Sequence, residues 1–251
     1  MLEAGLYNMD CLEGMKEFPD GYFDLAIVDP PYGDGKNAAG GGTLEAVRRM
    51  VQQVHDGPAR TGGTWAGKYG KKIIAWDQAP GKEYFDELFR VSREQIIWGG
   101  NYFDLPATRC FLVWDKANIN DSFSMAMCEY AWTSLDGNAK MWRGAPQGTK
   151  WEKRIHPTQK PVKLYMWQLK MFAREGMKIL DTHAGSGSLE VACLRQGIKC
   201  WGFEIDRQYF EMARRRIEEE AAQVSLFEEA EAYESTLLEM PGAEGGVPRD
   251  V

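Results

Sequence analysis

Residues 177–204 constrain the fold more than any other part of the chain. Met177-Lys178-Ile179-Leu180-Asp181 is a short apolar run that ends on an acid, and Thr182–Ser188 is a turn of small residues with glycine at 185 and 187. Leu189–Gln196 has helical spacing and is stopped by Gly197. Ile198–Glu204 returns to a strand pattern, and a charged helix is expected from Arg207 to about Ala222. Strand, glycine turn, helix and strand form a crossover unit, and such units lay parallel strands side by side. The fold class that follows is α/β, Rossmann-like, with a largely parallel sheet.

The same unit has the chemistry of a nucleoside site. Glycine lets backbone approach a ligand, and the helix N-terminus presents unpaired N–H groups to an anion or carboxylate. Glu204 closes the following strand, where an acid can accept hydrogen bonds from both hydroxyls of a ribose. A plain tight turn would use the same glycines. A nicotinamide dinucleotide would prefer Gly-x-Gly-x-x-Gly, whereas the run here is Gly185-Ser186-Gly187-Ser188-Leu189-Glu190. Asp181, at the strand end before the turn, would repel a pyrophosphate. It suits a cofactor carrying an amino group, such as the methionine part of S-adenosylmethionine.

Near the N-terminus, Phe23-Asp24-Leu25-Ala26-Ile27-Val28 reads as a buried strand that must end at Asp29-Pro30-Pro31-Tyr32, because two prolines cannot continue a sheet. A proline-rich turn is the bland reading. The chemical reading concerns an exocyclic amine, whose lone pair is delocalised into its ring. A carboxylate and a carbonyl that each accept one N–H bond can hold such a nitrogen towards tetrahedral geometry. Asp29 and the Pro30 carbonyl can do this, the prolines stiffen the loop, and Tyr32 offers a face on which an extruded base can stack.

The two motifs together resemble the amino-methyltransferases that modify DNA. Their order, with Asp29–Tyr32 first and Asp181–Gly187 late, is similar to the permuted β group of that family. Further matches are Asn8-Met9-Asp10-Cys11-Leu12, Trp98-Gly99-Gly100-Asn101-Tyr102-Phe103, Val113-Trp114-Asp115-Lys116 and His156-Pro157-Thr158-Gln159-Lys160-Pro161. The second and third of these also resemble segments of adenine methyltransferases of the prophage type. The resemblance spans about residues 5–215. It implies S-adenosylmethionine as methyl donor, held by Asp10 on its adenosine side and by Thr158 and Lys160 near its carboxylate. It also implies cofactor contacts from Asp181, His183, Ala184, Gly185, Ser186, Gly187 and Glu204, and catalysis by Asp29, Pro30, Pro31 and Tyr32. Double-stranded DNA is the implied partner, and N6 of adenine the implied target. N4 of cytosine presents a similar amine, but enzymes acting on it more often begin the loop with serine. A DNA-binding protein that kept the fold without catalysis is the remaining alternative. One departure stands out: Thr182-His183 occupies the place where the family usually has Pro-Phe.

Charge adds a DNA-facing expectation. The chain carries a net −7. Ten acids and one base lie between Glu218 and Val251, so that segment holds −9 and the rest of the chain +2. Residues 1–217 are therefore expected to form the methyltransferase domain, and 218–251 an acidic disordered tail. Gly33–Lys72, glycine-rich and net +4, reads as an insert around a short helix near Leu44–Val54. Residues 115–155 are expected to form a second insert, with Lys140, Arg143, Lys150, Lys153 and Arg154 meeting phosphates. Within the tail, Gln223-Val224-Ser225-Leu226-Phe227 resembles the short peptides that dock on the bacterial replication sliding clamp, with Gln223, Leu226 and Phe227 as contacts. Folding back of Leu226 and Phe227 onto the core is the other reading. The five cysteines have no Cys-x-x-Cys spacing and no apolar run reaches the ~18 residues of a membrane span, so neither a zinc site nor an anchor is expected, and the cytoplasm is the expected location.

Overall fold

The computed structural model describes residues 1–33, 78–120, 126–146 and 154–239, with side chains of the last helix described as far as Val224. The helix expected near 44–54, together with Lys150 and Lys153, lies outside the described residues. Among the described residues eight strands form one sheet: β1 (Gly5–Tyr7), β2 (Phe23–Val28), β3 (Ser92–Trp98), β4 (Phe111–Asp115), β5 (Cys128–Thr133), β6 (Lys140–Arg143), β7 (Lys178–Asp181) and β8 (Lys199–Phe203). Their spatial order is β1-β8-β7-β2-β3-β5-β4-β6. Neighbours from β1 to β3 are parallel, β5 is antiparallel to both β3 and β4, and β6 is parallel to β4.

The central strands have apolar side chains on both faces, the pattern of a parallel sheet covered on both sides. In β2, Leu25 and Ile27 pack into one layer while Ala26 and Val28 pack into the other. In β3, Ile96 and Trp98 oppose Ile97 in the same way, as Ile179 opposes Leu180 in β7. On the first face lie α3 (Val162–Phe172) and α4 (Ser188–Arg195), and Ile217 of α5 (Arg207–Glu239) packs there too. On the second face lie α1 (Cys11–Lys16) and α2 (Lys82–Val91). The spacing of Tyr84, Leu88 and Val91 puts one buried stripe on α2. That helix runs into β3 without a loop, and the Ser92 hydroxyl donates to Leu88 O at 2.5 Å.

Three features differ from expectation. Within the segment 115–155, residues 128–133 and 140–143 belong to the sheet: β5 sits between β3 and β4, and β6 pairs with β4 at its end. The alternation that would reveal β5 is broken by Glu129 and Thr133, so no apolar run marks it. β1 is likewise unmarked in the sequence, since three residues carry too little pattern. The last helix does not stop near Ala222 but continues to Glu239, so much of the segment expected to be disordered is helical. Glutamate and alanine at 218–222 favour helix. A fork from Arg195 to Glu220, 2.6 and 2.8 Å long, ties that stretch to α4. Among the described residues no helix is long and apolar enough to cross a membrane.

The approach of α1 to the sheet depends on a missing side chain. A Cβ at Gly14 would lie 2.5 Å from a ring carbon of Phe203, which is itself fully buried in β8. Gly14→Ala should therefore cost about 1–3 kcal/mol through overpacking. A thermal melt should show a midpoint lowered by several degrees, and an unchanged midpoint would mean that α1 can lift off without penalty.

Candidate functional site

Three acids stand in a row at the carboxyl ends of three adjacent parallel strands. Glu204 follows β8, Asp181 ends β7 and Asp29 follows β2. Ligands of open α/β sheets bind in this crevice, because the strands end there while the loops diverge to either side. The glycine turn leads from β7 into α4 at the same edge. The expected cofactor and catalytic motifs, some 150 residues apart in the chain, thus converge because β2 and β7 are hydrogen-bonded neighbours.

On the glycine-turn side, Asp181 is buried and its Oδ1 accepts the His183 N–H at 3.0 Å. Burial pushes its carboxyl up to about 7, and the negative charges of Asp29 and Glu204 add to the shift. Gly185 and Gly187 adopt positive φ of +53° and +69°, which their neighbours Ala184 and Ser186 do not share. Glu204 Oε2 accepts the Gly185 N–H and Oε1 accepts the Asp206 N–H, both at 2.8 Å. The carboxylate therefore ties the turn to the end of β8, which orients it whether or not it meets a sugar. Arg216 of α5 braces the turn from behind by donating to Ser186 O and to the Ser188 hydroxyl, each at 3.0 Å. Asn8 donates to Glu204 O at 2.8 Å, and Asp10 caps α1 by accepting the Leu12 N–H at 2.8 Å.

The residues where the chain departs from the family form a unit of their own. The Thr182 hydroxyl lies 2.8 Å from His183 Nδ1 and 2.7 Å from the Tyr84 hydroxyl, and the His183 ring meets Tyr84 edge-on. Burial lowers the His183 pKa to about 4, so the ring is a neutral plate at pH 7. His156 is neutral for the same reason, again near 4. Its ring packs against Tyr209 with centroids 4.3 Å apart and lies 3.4 Å from where a Gly185 Cβ would be. Thr158 is exposed, with its hydroxyl 3.2 Å from His156 Nδ1.

The other side is a chain of charges. Tyr32 donates its hydroxyl to Asp29 Oδ1 at 2.9 Å, and Lys160 Nζ donates to Asp29 Oδ2. Lys160 is only 4% exposed and lies 3.2 Å from Glu129 Oε2, while Glu129 Oε1 lies 2.7 Å from Lys116 Nζ. The family resemblance puts Lys160 beside a cofactor carboxylate; in this structure it meets Asp29 of the proline loop. Its charge also reaches Asp181, whose carboxyl it pulls down. Burial raises the Asp29 carboxyl above its ordinary value, Lys160 opposes this, and Glu129 reinforces it. Burial raises Glu129 too, but Lys160 and Lys116 outweigh it and hold that carboxyl below its ordinary value. Sequence reasoning assigns no role to Glu129 or Lys116. Lys116 stands in a recognised Trp-Asp-Lys segment without an assigned partner, and Glu129 is a lone acid in an unrecognised strand.

Tyr32 stacks on Tyr102, with centroids 4.7 Å apart and planes 18° from parallel. Gly99 lets the chain pass close to that ring: a Cβ there would lie 2.0 Å from Tyr32. Among the expected DNA contacts, Lys140 and Arg143 lie at the two ends of the edge strand β6, Arg143 is 3.3 Å from Asp115, and Arg154 donates to Gln159 O at 3.4 Å. Gln223, Leu226 and Phe227 all fall within α5, so this stretch is helical and not part of a disordered tail.

Comparison with known proteins bears on family and fold. The N6/N4 methylase family model, described as DNA methylase, matches residues 106–215. The type II methyltransferase M.HpaI of Haemophilus parainfluenzae is 34% identical over 87% of this chain and 76% of its own length. The DNA adenine methyltransferase YhdJ of Escherichia coli is 23% identical over 83% of this chain and 81% of its own. Among solved structures, a DNA modification methylase-like protein of Thermus thermophilus in complex with S-adenosyl-L-methionine superimposes with a TM-score of 0.50 at 17% identity, covering 86% of this chain and 95% of that one. The likeness is one of fold.

The raised Asp181 carboxyl makes a pH test possible. A cationic ligand group is attracted to the ionised acid, and below a pKa near 7 the site must first lose a proton. Calorimetric affinity for S-adenosylmethionine should therefore fall about tenfold from pH 8 to pH 6. Asp181→Asn should bind weakly and without that slope; a wild-type affinity flat across this range would remove Asp181 from the ligand's cationic end.

Proposed function

The chain belongs to the N6/N4 DNA methylase family, and from that premise we propose that it transfers a methyl group from S-adenosylmethionine to N6 of adenine in a short double-stranded DNA sequence. The observation that carries this reading is the placement of Asp29 and Asp181 at the ends of hydrogen-bonded strands, with a glycine turn opening beside them.

The residues fit the donor's functional groups. Asp181 offers a buried negative charge to its ammonium group. The Gly185–Gly187 turn offers close-approach backbone, and Glu204 and Asp10 stand on the ribose side. Thr158, His183, Ala184 and Ser186 line the same turn and its flanks. When bound, the donor supplies an electrophilic methyl group. The protein's part is then to position a weak nucleophile. Asp29 and the Pro30 carbonyl accept the two N–H bonds of the target amine and turn its lone pair towards the methyl. Pro30 and Pro31 limit the loop's freedom, so little of the alignment is lost to motion. Tyr32, anchored through its hydroxyl to Asp29, presents its ring to the extruded base. The product amine gives up its extra proton readily, so no dedicated base is needed.

Adenine is favoured over cytosine because the loop opens with aspartate, and YhdJ is an adenine enzyme. N4 of cytosine is the alternative within the same family. Sequencing DNA from cells expressing the protein, with detection of modified bases, decides between them: N6-methyladenine at a fixed short sequence is expected, and N4-methylcytosine would replace this reading. Asp29→Ala should lower methyl transfer by at least about a hundredfold while leaving S-adenosylmethionine affinity within about threefold, since it removes an interaction made to the target. Ordinary turnover in that variant would take Asp29 out of the reaction.

DNA would be held by the basic residues Lys140, Arg143, Lys150, Lys153 and Arg154 through its phosphates. Neutralising Lys150, Lys153 and Arg154 together should flatten the dependence of DNA affinity on salt, by about 2–3 in logarithmic slope. A slope equal to that of the wild type would leave these residues off the DNA path.

A further inference from the structure

The charge chain behind the catalytic loop contains more than a loop acid and its counter-ion. Both Asp29 oxygens already have a partner: Tyr32 donates to Oδ1 and Lys160 to Oδ2. An amine that donates to Oδ2 must share that oxygen with Lys160, and an oxygen held by a buried ammonium is a weaker acceptor until the lysine gives ground. Tyr32 is held where it is by Tyr102 and by the closeness of Gly99. Lys160 has a second place to go. Its Nζ already lies 3.2 Å from Glu129 Oε2, and its position over the Trp98 ring, 5.4 Å from the centroid, leaves its charge attracted from both sides.

Glu129 in turn is fixed from the far side. Lys116, 5% exposed and 2.7 Å from Glu129 Oε1, holds the carboxylate while resting over the Trp114 ring. β4 and β5 pair Trp114 directly with Glu129, and the Trp114 indole N–H donates to Gly144 O at 2.8 Å. The four charges, two lysines and two carboxylates, sum to zero. Of the two carboxylates, Glu129 is the one that touches both lysines.

We propose that Glu129, locked by Lys116, is a positioning residue for methyl transfer: it draws Lys160 away from Asp29 Oδ2 as the target amine donates there. Lys160 then keeps a carboxylate partner throughout, and Asp29 is handed to the substrate without stranding a buried cation. The inference rests on the reading of Asp29 as the amine's acceptor. The directions of the shifts agree with it. Of the two carboxylates that share Lys160, Glu129 is the one held below its ordinary value and Asp29 the one held above.

The test uses the full-length protein, S-adenosylmethionine and unmethylated genomic DNA. In Glu129→Gln, Lys160 has one carboxylate left and should close on Asp29. The single-turnover rate should fall at least about tenfold while cofactor and DNA affinities stay within about threefold. The acid limb of the rate profile should also move to lower pH, because a negative neighbour of Asp29 is gone. The other groups facing Asp29 are unaltered: Lys160, Tyr32, Tyr165, Tyr84 and Asp181. Glu129→Asp should restore the wild-type limb and part of the rate.

Should Glu129→Gln fail to fold because Lys116 is left unpaired, the double variant Lys116→Met with Glu129→Gln removes both charges, and the same loss of rate and shift of limb are expected. Wild-type rate and limb in whichever of these folds would overturn the proposal. So would a loss of rate that only follows the folded fraction, with the limb unmoved. Failure of the underlying reading is distinct: it shows as an active Asp29→Ala.

Discussion

Lys160 joins two regions of the chain that have no local reason to meet. It lies at the entrance to α3, between the edge strand of the sheet and the cofactor half, yet its amine sits on the carboxylate of Asp29, 131 residues earlier. Both partners are largely buried, and removing Lys160 would leave the Asp29 charge without a cation in a poorly solvated place. The pair therefore fixes the proline loop to the start of α3. Since α3 packs on the same face of the sheet as α4, which begins at the glycine turn, the loop and the turn are held in one frame. A reaction between two bound molecules needs such a frame more than it needs any single strong contact.

The opposite wall of the crevice is held by backbone rather than by charge. Glu204 accepts two main-chain N–H groups, Ala184 donates to Phe203 O at 2.9 Å, and Asn8 ties the end of β1 to the chain after β8. The turn is thus braced before any ligand arrives. A pre-shaped site loses less conformational entropy on binding than one that must order itself. Between these two walls Asp181 is a buried acid whose carboxyl is pushed up by burial and by the charges of Asp29 and Glu204.

Much of the architecture was legible because it obeys simple periods. The β7–α4–β8 unit, the strand ending at Asp29 and the stripe on α2 each show a repeat of two or of about 3.6 residues, with proline or glycine where the repeat stops. β1 and β5 were not legible. The first is too short to show a repeat. The second carries Glu129 and Thr133 where a buried strand would ordinarily have apolar residues, and those polar side chains are accommodated only by partners from elsewhere: Lys116 and Lys160 for one, the Cys110 carbonyl for the other. The length of α5 was missed for a different reason. Its acidic composition reads as a solvated tail, and the ion pair from Arg195 that fastens its middle belongs to another helix.

Local pattern is enough for the α/β class, the strand–turn–helix–strand unit, and the residue types at the two ends of the crevice. Those are local properties: glycines where backbone must turn tightly, prolines where a strand must end, acids at the boundaries of apolar runs. Packing alone sets β2 against β7, brings Asp29, Asp181 and Glu204 to one edge, and pairs Lys160 with the proline loop. Pairing of parallel strands and burial of opposite charges are set by which surfaces can be covered together. That is a property of the whole packed sheet, and a linear spacing of residues does not encode it.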